Sequence, residues 1–134
     1  SLEAHPISFL RSLIPGKSII EIKKTSSKEL LKTRGLITNR QRPKTAKGTV
    51  FITIEDETGS LNLIVSNKLF EENKKTILQS IFISVEGYWE KNGIVESNYF
   101  YNCYGNFIVS SIQNQTELLT KFFKTSSWKT RDFH

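Results

Sequence analysis

The chain has 134 residues, 37% of them hydrophobic and 24% charged, which is enough for one domain with a real core and too few for two ordinary ones. Nineteen Lys and Arg against thirteen Asp and Glu give a formal charge of +6, a balance that suits a polyanionic partner without establishing one. One Cys and two His exclude an internal disulfide and a closed zinc set, and no apolar run reaches the length of a membrane span, so the cytoplasm is the expected compartment.

Phe9, Leu10, Leu13 and Ile14 recur at helical spacing ahead of Pro15-Gly16, a helix stop. Residues 1–27 therefore read as an N-terminal helix and linker left from a preceding region, and residues 28–134 as a nucleic-acid-binding domain with a C-terminal extension. Leu31 to Asn39 is the first strand, and Arg40 to Gly48 is a basic loop punctuated by Pro43 and Gly48.

Thr49 to Ile54 alternates with period two, turns through Glu55 to Gly59, and continues as Ser60 to Val65, a β-hairpin. In that turn Asp56 and Thr58 are expected to bond the local backbone while Gly59 takes a positive φ. Asn67 is a candidate N-cap for a helix running to Gln79, with Leu69, Phe70, Asn73, Ile77 and Leu78 on or near one face.

Ile81 to Trp89 and Ile94 to Ser97 read as a second hairpin joined by Glu90-Lys91-Asn92-Gly93, because Asn-Gly is a tight-turn signal. Phe107 to Ile112 extends the strand structure, and Leu118, Leu119, Phe122 and Phe123 form a closing amphipathic helix. Three strands, a helix and two strands is the connectivity of an OB-fold. The expected class is all-β with small α content: a five-stranded Greek-key barrel with a helix between strands three and four and short terminal helices.

From Lys28 to Lys47 the chain carries Lys28, Lys32, Arg34, Arg40, Arg42, Lys44 and Lys47 against one acid, Glu29. In an OB-fold the loop between strands one and two borders the oligonucleotide groove, which makes Arg40, Arg42, Lys44 and Lys47 candidate phosphate contacts, with Arg34 upstream of them. A merely solvated basic loop is the competing reading.

Alternation sends Val50, Ile52 and Ile54 to one side of the second strand and Phe51 and Thr53 to the other. An outward Phe51 would stack a base, a contact of roughly 1–3 kcal/mol, unless a terminal helix covers it. Tyr88 falls opposite the Ile83, Val85 and Trp89 set, with Lys91 in the turn beside the second groove-lining loop, and Trp89 reads as core. Glu55, Asp56 and Glu57 are better explained by the turn than by a metal. With His5 and His134 near the termini, no nucleophile elbow and no phosphate-cradling glycine loop, no catalytic residue, metal or cofactor is assigned.

Arg40 to Phe51, read on into Ile54 to Gly59, resembles the C-terminal OB domain of bacterial DNA polymerase III α subunits, especially the error-prone, damage-induced branch. The likeness covers Arg34 to about Glu96. The ending Arg131-Asp132-Phe133-His134, and His5-Pro6 followed by Phe9-Leu10-Arg11, also fit that branch. The resemblance implies a DNA-binding accessory module of a translesion polymerase, monomeric, contacting single-stranded template outside the active site through Arg40, Arg42, Lys44 and Lys47. It implies a nucleoid-associated place in a bacterial cytoplasm, with other polymerase domains or mutagenesis proteins as further partners. Two departures from the family pattern are Lys44 in place of a usual Gly and Ser66 where Trp is common.

Two other readings follow from the same residues. A protein-interaction barrel would dock through Phe51, Ile64 and the C-terminal helix, and its affinity would change little with salt. An anticodon-binding OB domain would prefer RNA.

Overall fold

Val50, Ile52 and Ile54 alternate with Phe51 and Thr53, and in a computed structural model of the chain the first three are buried while the other two are half-buried. This is the pattern of a sheet with one face on a core. The structure describes residues 14–96 and 101–125, with side chains given for 14–91 and 105–121.

The elements are helix α1 (Ile19–Lys24), strand β1 (Leu31–Gln41), a short 3-10 turn (Lys44–Ala46), β2 (Val50–Asp56), β3 (Gly59–Val65), helices α2 (Asn67–Glu72) and α3 (Lys74–Gln79), β4 (Phe82–Glu96), β5 (Tyr101–Asn114) and α4 (Thr116–Thr125). The strands close into a barrel in the order β1-β2-β3-β5-β4, and β3 and β5 run parallel. Closure depends on β1, whose first half pairs with β4 from Leu31 to Leu36 and whose second half pairs with β2 from Leu36 to Gln41. A register shift between Ile37 and Asn39 lies where the strand changes partners, as a bulge bends a strand out of one sheet toward another.

The main core cluster includes Ile52, Ile54, Leu61, Leu63, Phe107 and Trp89 from the barrel, Phe70 and Ile77 from α2 and α3, and Ile19 and Ile22 from α1, and a smaller second cluster joins Ile14 to Phe82. Fully burying such a side chain is worth about 1.5–3 kcal/mol. The two helical units close opposite ends of the barrel. The α2–α3 pair sits at the end that bears the β1–β2 loop, and α1 sits at the β2–β3 turn.

Asp56 ties α1 to that turn. One carboxylate oxygen accepts from the backbone N–H of Ile19 at 2.9 Å, and the other accepts from the Thr58 N–H at 2.7 Å and the Thr58 hydroxyl at 2.6 Å. The turn chemistry expected of Asp56 and Thr58 is present, and Gly59 has φ 152°. The segment read as a linker supplies a capped helix and two residues of the main core cluster, Ile19 and Ile22. Ser18 caps that helix reciprocally with Glu21, a capping box that satisfies its first N–H groups.

Three local expectations are corrected. The helix between β3 and β4 is two helices broken at Asn73, whose backbone leaves helical geometry (φ −128°, ψ 28°) and whose side chain donates to the Leu69 carbonyl at 3.0 Å. Its N-cap is Ser66, whose hydroxyl accepts from the Leu69 N–H at 3.2 Å, and not Asn67. Finally, Asn92-Gly93 is no hairpin turn: β4 runs through it to Glu96 with a register shift between Lys91 and Gly93, and the fifth strand is Tyr101–Asn114. Asn and Gly tolerate the backbone a bulge needs as readily as that of a turn. The helix expected before Ile14, the residues 97–100 and the Arg131–His134 ending lie outside the described residues.

Candidate nucleic-acid interface

Backbone pairing lays two rows of side chains across the barrel. Gln41 opposes Phe51, Phe51 opposes Ile64, Ile64 opposes Ile108, and Ile108 opposes Tyr88. Opposed residues share a face, so these five form one outward row from β1 to β4, with Tyr88 44% exposed at its far end. The next row outward runs Asn39, Thr53, Asn62.

Between the rows lies a shallow groove lined by Asn39, Gln41, Phe51, Thr53, Asn62 and Asn106, with Ile52 at its floor. Phe51 is thus flanked by four amide side chains, each of which carries a donor and an acceptor, and the Thr53 hydroxyl lies 3.2 Å from the Asn62 carbonyl oxygen. Among the described residues the terminal helices pack elsewhere. Ile19 and Ile22 enter the barrel end, and Leu118 and Leu119 pack with Ile14, Leu36 and Phe82. The question left by the sequence is answered for those residues, because neither α1 nor the described part of α4 covers Phe51.

The expected basic residues separate into three groups. Arg34 is only 2% exposed, and one guanidinium nitrogen donates to the Lys17 carbonyl at 2.8 Å. It secures the lead into α1 inside the fold, and it is withdrawn as a groove contact.

Arg40 belongs to β1 and not to the loop, and it opposes the inward Ile52. Its side chain therefore turns toward the barrel end, where the guanidinium donates to the carbonyl of Ile77 at 2.8 Å and to that of Ser80. These are carbonyls at the C-terminus of α3, the negative end of a helix, where a cation is favoured. Arg42 leans on α2: its guanidinium carbon stands 4.5 Å from the centroid of Phe70, and one nitrogen bonds Asn67 at 3.1 Å and Glu71 at 3.4 Å.

Lys44 and Lys47 stand exposed on the loop beyond Gln41 and Phe51, and among the described residues neither pairs with an acid. Lys47 itself is left-handed (φ 55°), and the following Gly48 (φ 87°) approaches the Asn67 side chain so closely that a Cβ there would collide. The loop thus runs close past the start of α2. Lys91 is exposed on β4 opposite Gly105. Trp89 is buried, as expected of core. Sequence reasoning missed Asn39, Gln41, Asn62 and Asn106, although strand alternation around Phe51 would have located the first three. Among the described residues no group of His, Cys, Asp or Glu is placed to hold a metal ion.

A closed five-stranded barrel with this strand order, a helical unit between strands three and four and an outward aromatic groove defines the OB-fold class. Residues 31–100 match the family described as "OB-fold nucleic acid binding domain", and the chain belongs to that family. Along its whole length it is 33% identical to an error-prone DNA polymerase of Xanthomonas campestris, and over 71% of its length 40% identical to error-prone DNA polymerase 3 of Agrobacterium fabrum. It spans 12% and 9% of those two proteins.

Among solved structures the asparaginyl-tRNA synthetase of Pyrococcus horikoshii with bound asparaginyl-adenylate superposes with a TM-score of 0.57 at 16% identity, over 77% of this chain and 23% of that one. The aspartyl-tRNA synthetase of Entamoeba histolytica gives 0.52 at 12% identity, over 78% and 22%. These likenesses show the fold.

Proposed function

We propose that this chain is the single-stranded DNA-binding module of an error-prone DNA polymerase, holding template outside the active site and performing no bond chemistry itself. The observation that carries the reading is Phe51 in an open groove among Asn39, Gln41, Asn62 and Asn106, with the Lys44 and Lys47 loop rising from the groove's edge. Aromatic faces stack unpaired bases, amides meet base edges that a duplex would occupy, and lysines neutralise phosphates. The relatives' names favour DNA over RNA as the strand.

The test is fluorescence anisotropy of labelled oligo-dT, oligo-U and duplex DNA at low and moderate salt, with Lys44→Ala/Lys47→Ala beside the parent chain. Salt-sensitive binding to oligo-dT, weakened in the variant, is the expected result. Absence of oligo-dT binding at low salt overturns the reading in favour of protein docking, to which the exposed Leu78 and Ile81 beside the α3 end lend an apolar patch. Preference for oligo-U would restore the anticodon-binding reading.

A further inference from the structure

The outward row does not end at Tyr88. Immediately beyond it a cleft of about 560 Å³ opens between β4 and the segment leading from α1 into β1, lined by Thr25, Ser26, Ser27 and Lys28 on one wall and Tyr88 to Lys91 on the other. Ligand clefts commonly measure about 300–1,000 Å³, so a nucleotide unit is of the right size. Resting on the single-strand reading above, we infer that this cleft is a second phosphate seat, in which Lys28 and Lys91 hold the sugar-phosphate of the strand after it has crossed Phe51 and Tyr88.

Three observations support the assignment. Two lysines face the cleft against one acid, Glu90. The Thr25 and Ser27 hydroxyls accept from the Ser27 and Glu29 N–H groups at 3.1 and 3.0 Å, which leaves the hydroxyl protons to donate to a phosphate oxygen. The cleft also continues the row, since Phe51, Ile64, Ile108 and Tyr88 stand on adjacent strands at roughly 4.8 Å spacing, about 14 Å of stacking surface that delivers a strand to its mouth.

The seat would lengthen the footprint to nucleotides that the basic loop, at the other end of the row, does not reach.

The length of the oligonucleotide separates this inference from the reading it rests on. Binding of oligo-dT of about four and about twelve nucleotides, chosen to span the common OB site sizes of ~4–16, is measured against salt for the parent chain and for Lys28→Ala/Lys91→Ala. Both lysines are exposed, so the variant is expected to fold.

The expected result is that the double variant lowers the salt slope by about 1.4 for the twelve-mer, at about 0.7 per phosphate contact, and leaves the four-mer unchanged. An unchanged twelve-mer, or equal losses at both lengths, overturns the seat while leaving single-strand binding standing. No binding of either oligonucleotide by the parent chain overturns both. Inorganic phosphate that competes with neither length shows that the seat takes a strand; phosphate at millimolar concentration that displaces the twelve-mer but not the four-mer marks a free-phosphate site and overturns it.

Discussion

The guanidinium of Arg40 donates to the carbonyl of Ile77 at 2.8 Å, joining the exposed end of β1 to the end of the helix that closes the barrel. A residue in the most basic stretch of the chain thus has a structural duty. Arg40→Ala is expected to cost about 1.5–3 kcal/mol, the range for hydrogen bonds to a charged group, read as a lower urea midpoint at unchanged m-value. Oligo-dT binding by the folded fraction should change little, and a large binding loss without destabilisation would return Arg40 to the groove.

Phe51→Ala tests the groove directly. The ring is half-buried and outside the core cluster, so stability should fall by less than about 1 kcal/mol, whereas stacking accounts for roughly 1–3 kcal/mol of binding per base. Oligo-dT titration should therefore weaken about 5- to 150-fold by that conversion. Equal affinity in the variant would remove Phe51 from the interface.

Lys44→Ala/Lys47→Ala should reduce the dependence of log K on log salt by about 1.4, two contacts at about 0.7 each for a single strand. Because both side chains are exposed on the loop, thermal stability should be unaltered. A slope that does not move would leave the loop a solvated one.

The hairpin of β2 and β3, the OB order and the outward Phe51 were legible in the sequence because period-two alternation is local and repeats over seven residues. What escaped was set by distant partners. Nothing near Arg34 announces that its guanidinium will meet the Lys17 carbonyl, and nothing near Arg40 announces the end of α3. Charge counting treats a buried or capping arginine like a solvated one. Asn92-Gly93 misled for a different reason: the pair signals an unusual backbone, and whether that becomes a turn or a bulge depends on the length of the strand facing it. The capping box at Ser18 and Glu21 was readable from spacing, but the expected linker masked it.

Asp56 provides the sharpest test of whether α1 belongs to the barrel. It is 5% exposed, and its two oxygens serve the Ile19 N–H, the Thr58 N–H and the Thr58 hydroxyl. Asp56→Ala would leave the Ile19 N–H without its acceptor at a helix start and free the turn that α1 rests on. Loss of one such cap costs about 0.5–2 kcal/mol and each stranded buried donor about 1–3 kcal/mol, so a total of about 2–4 kcal/mol is expected in urea unfolding. The loss should be spatially uneven, with hydrogen exchange accelerating first at Ile19 to Lys24, because Ile19 and Ile22 are held in the core through that anchor. Uniform acceleration over the barrel would mean that α1 and the strands unfold as one unit, and an unchanged rate at Ile22 would mean that apolar packing alone holds the helix.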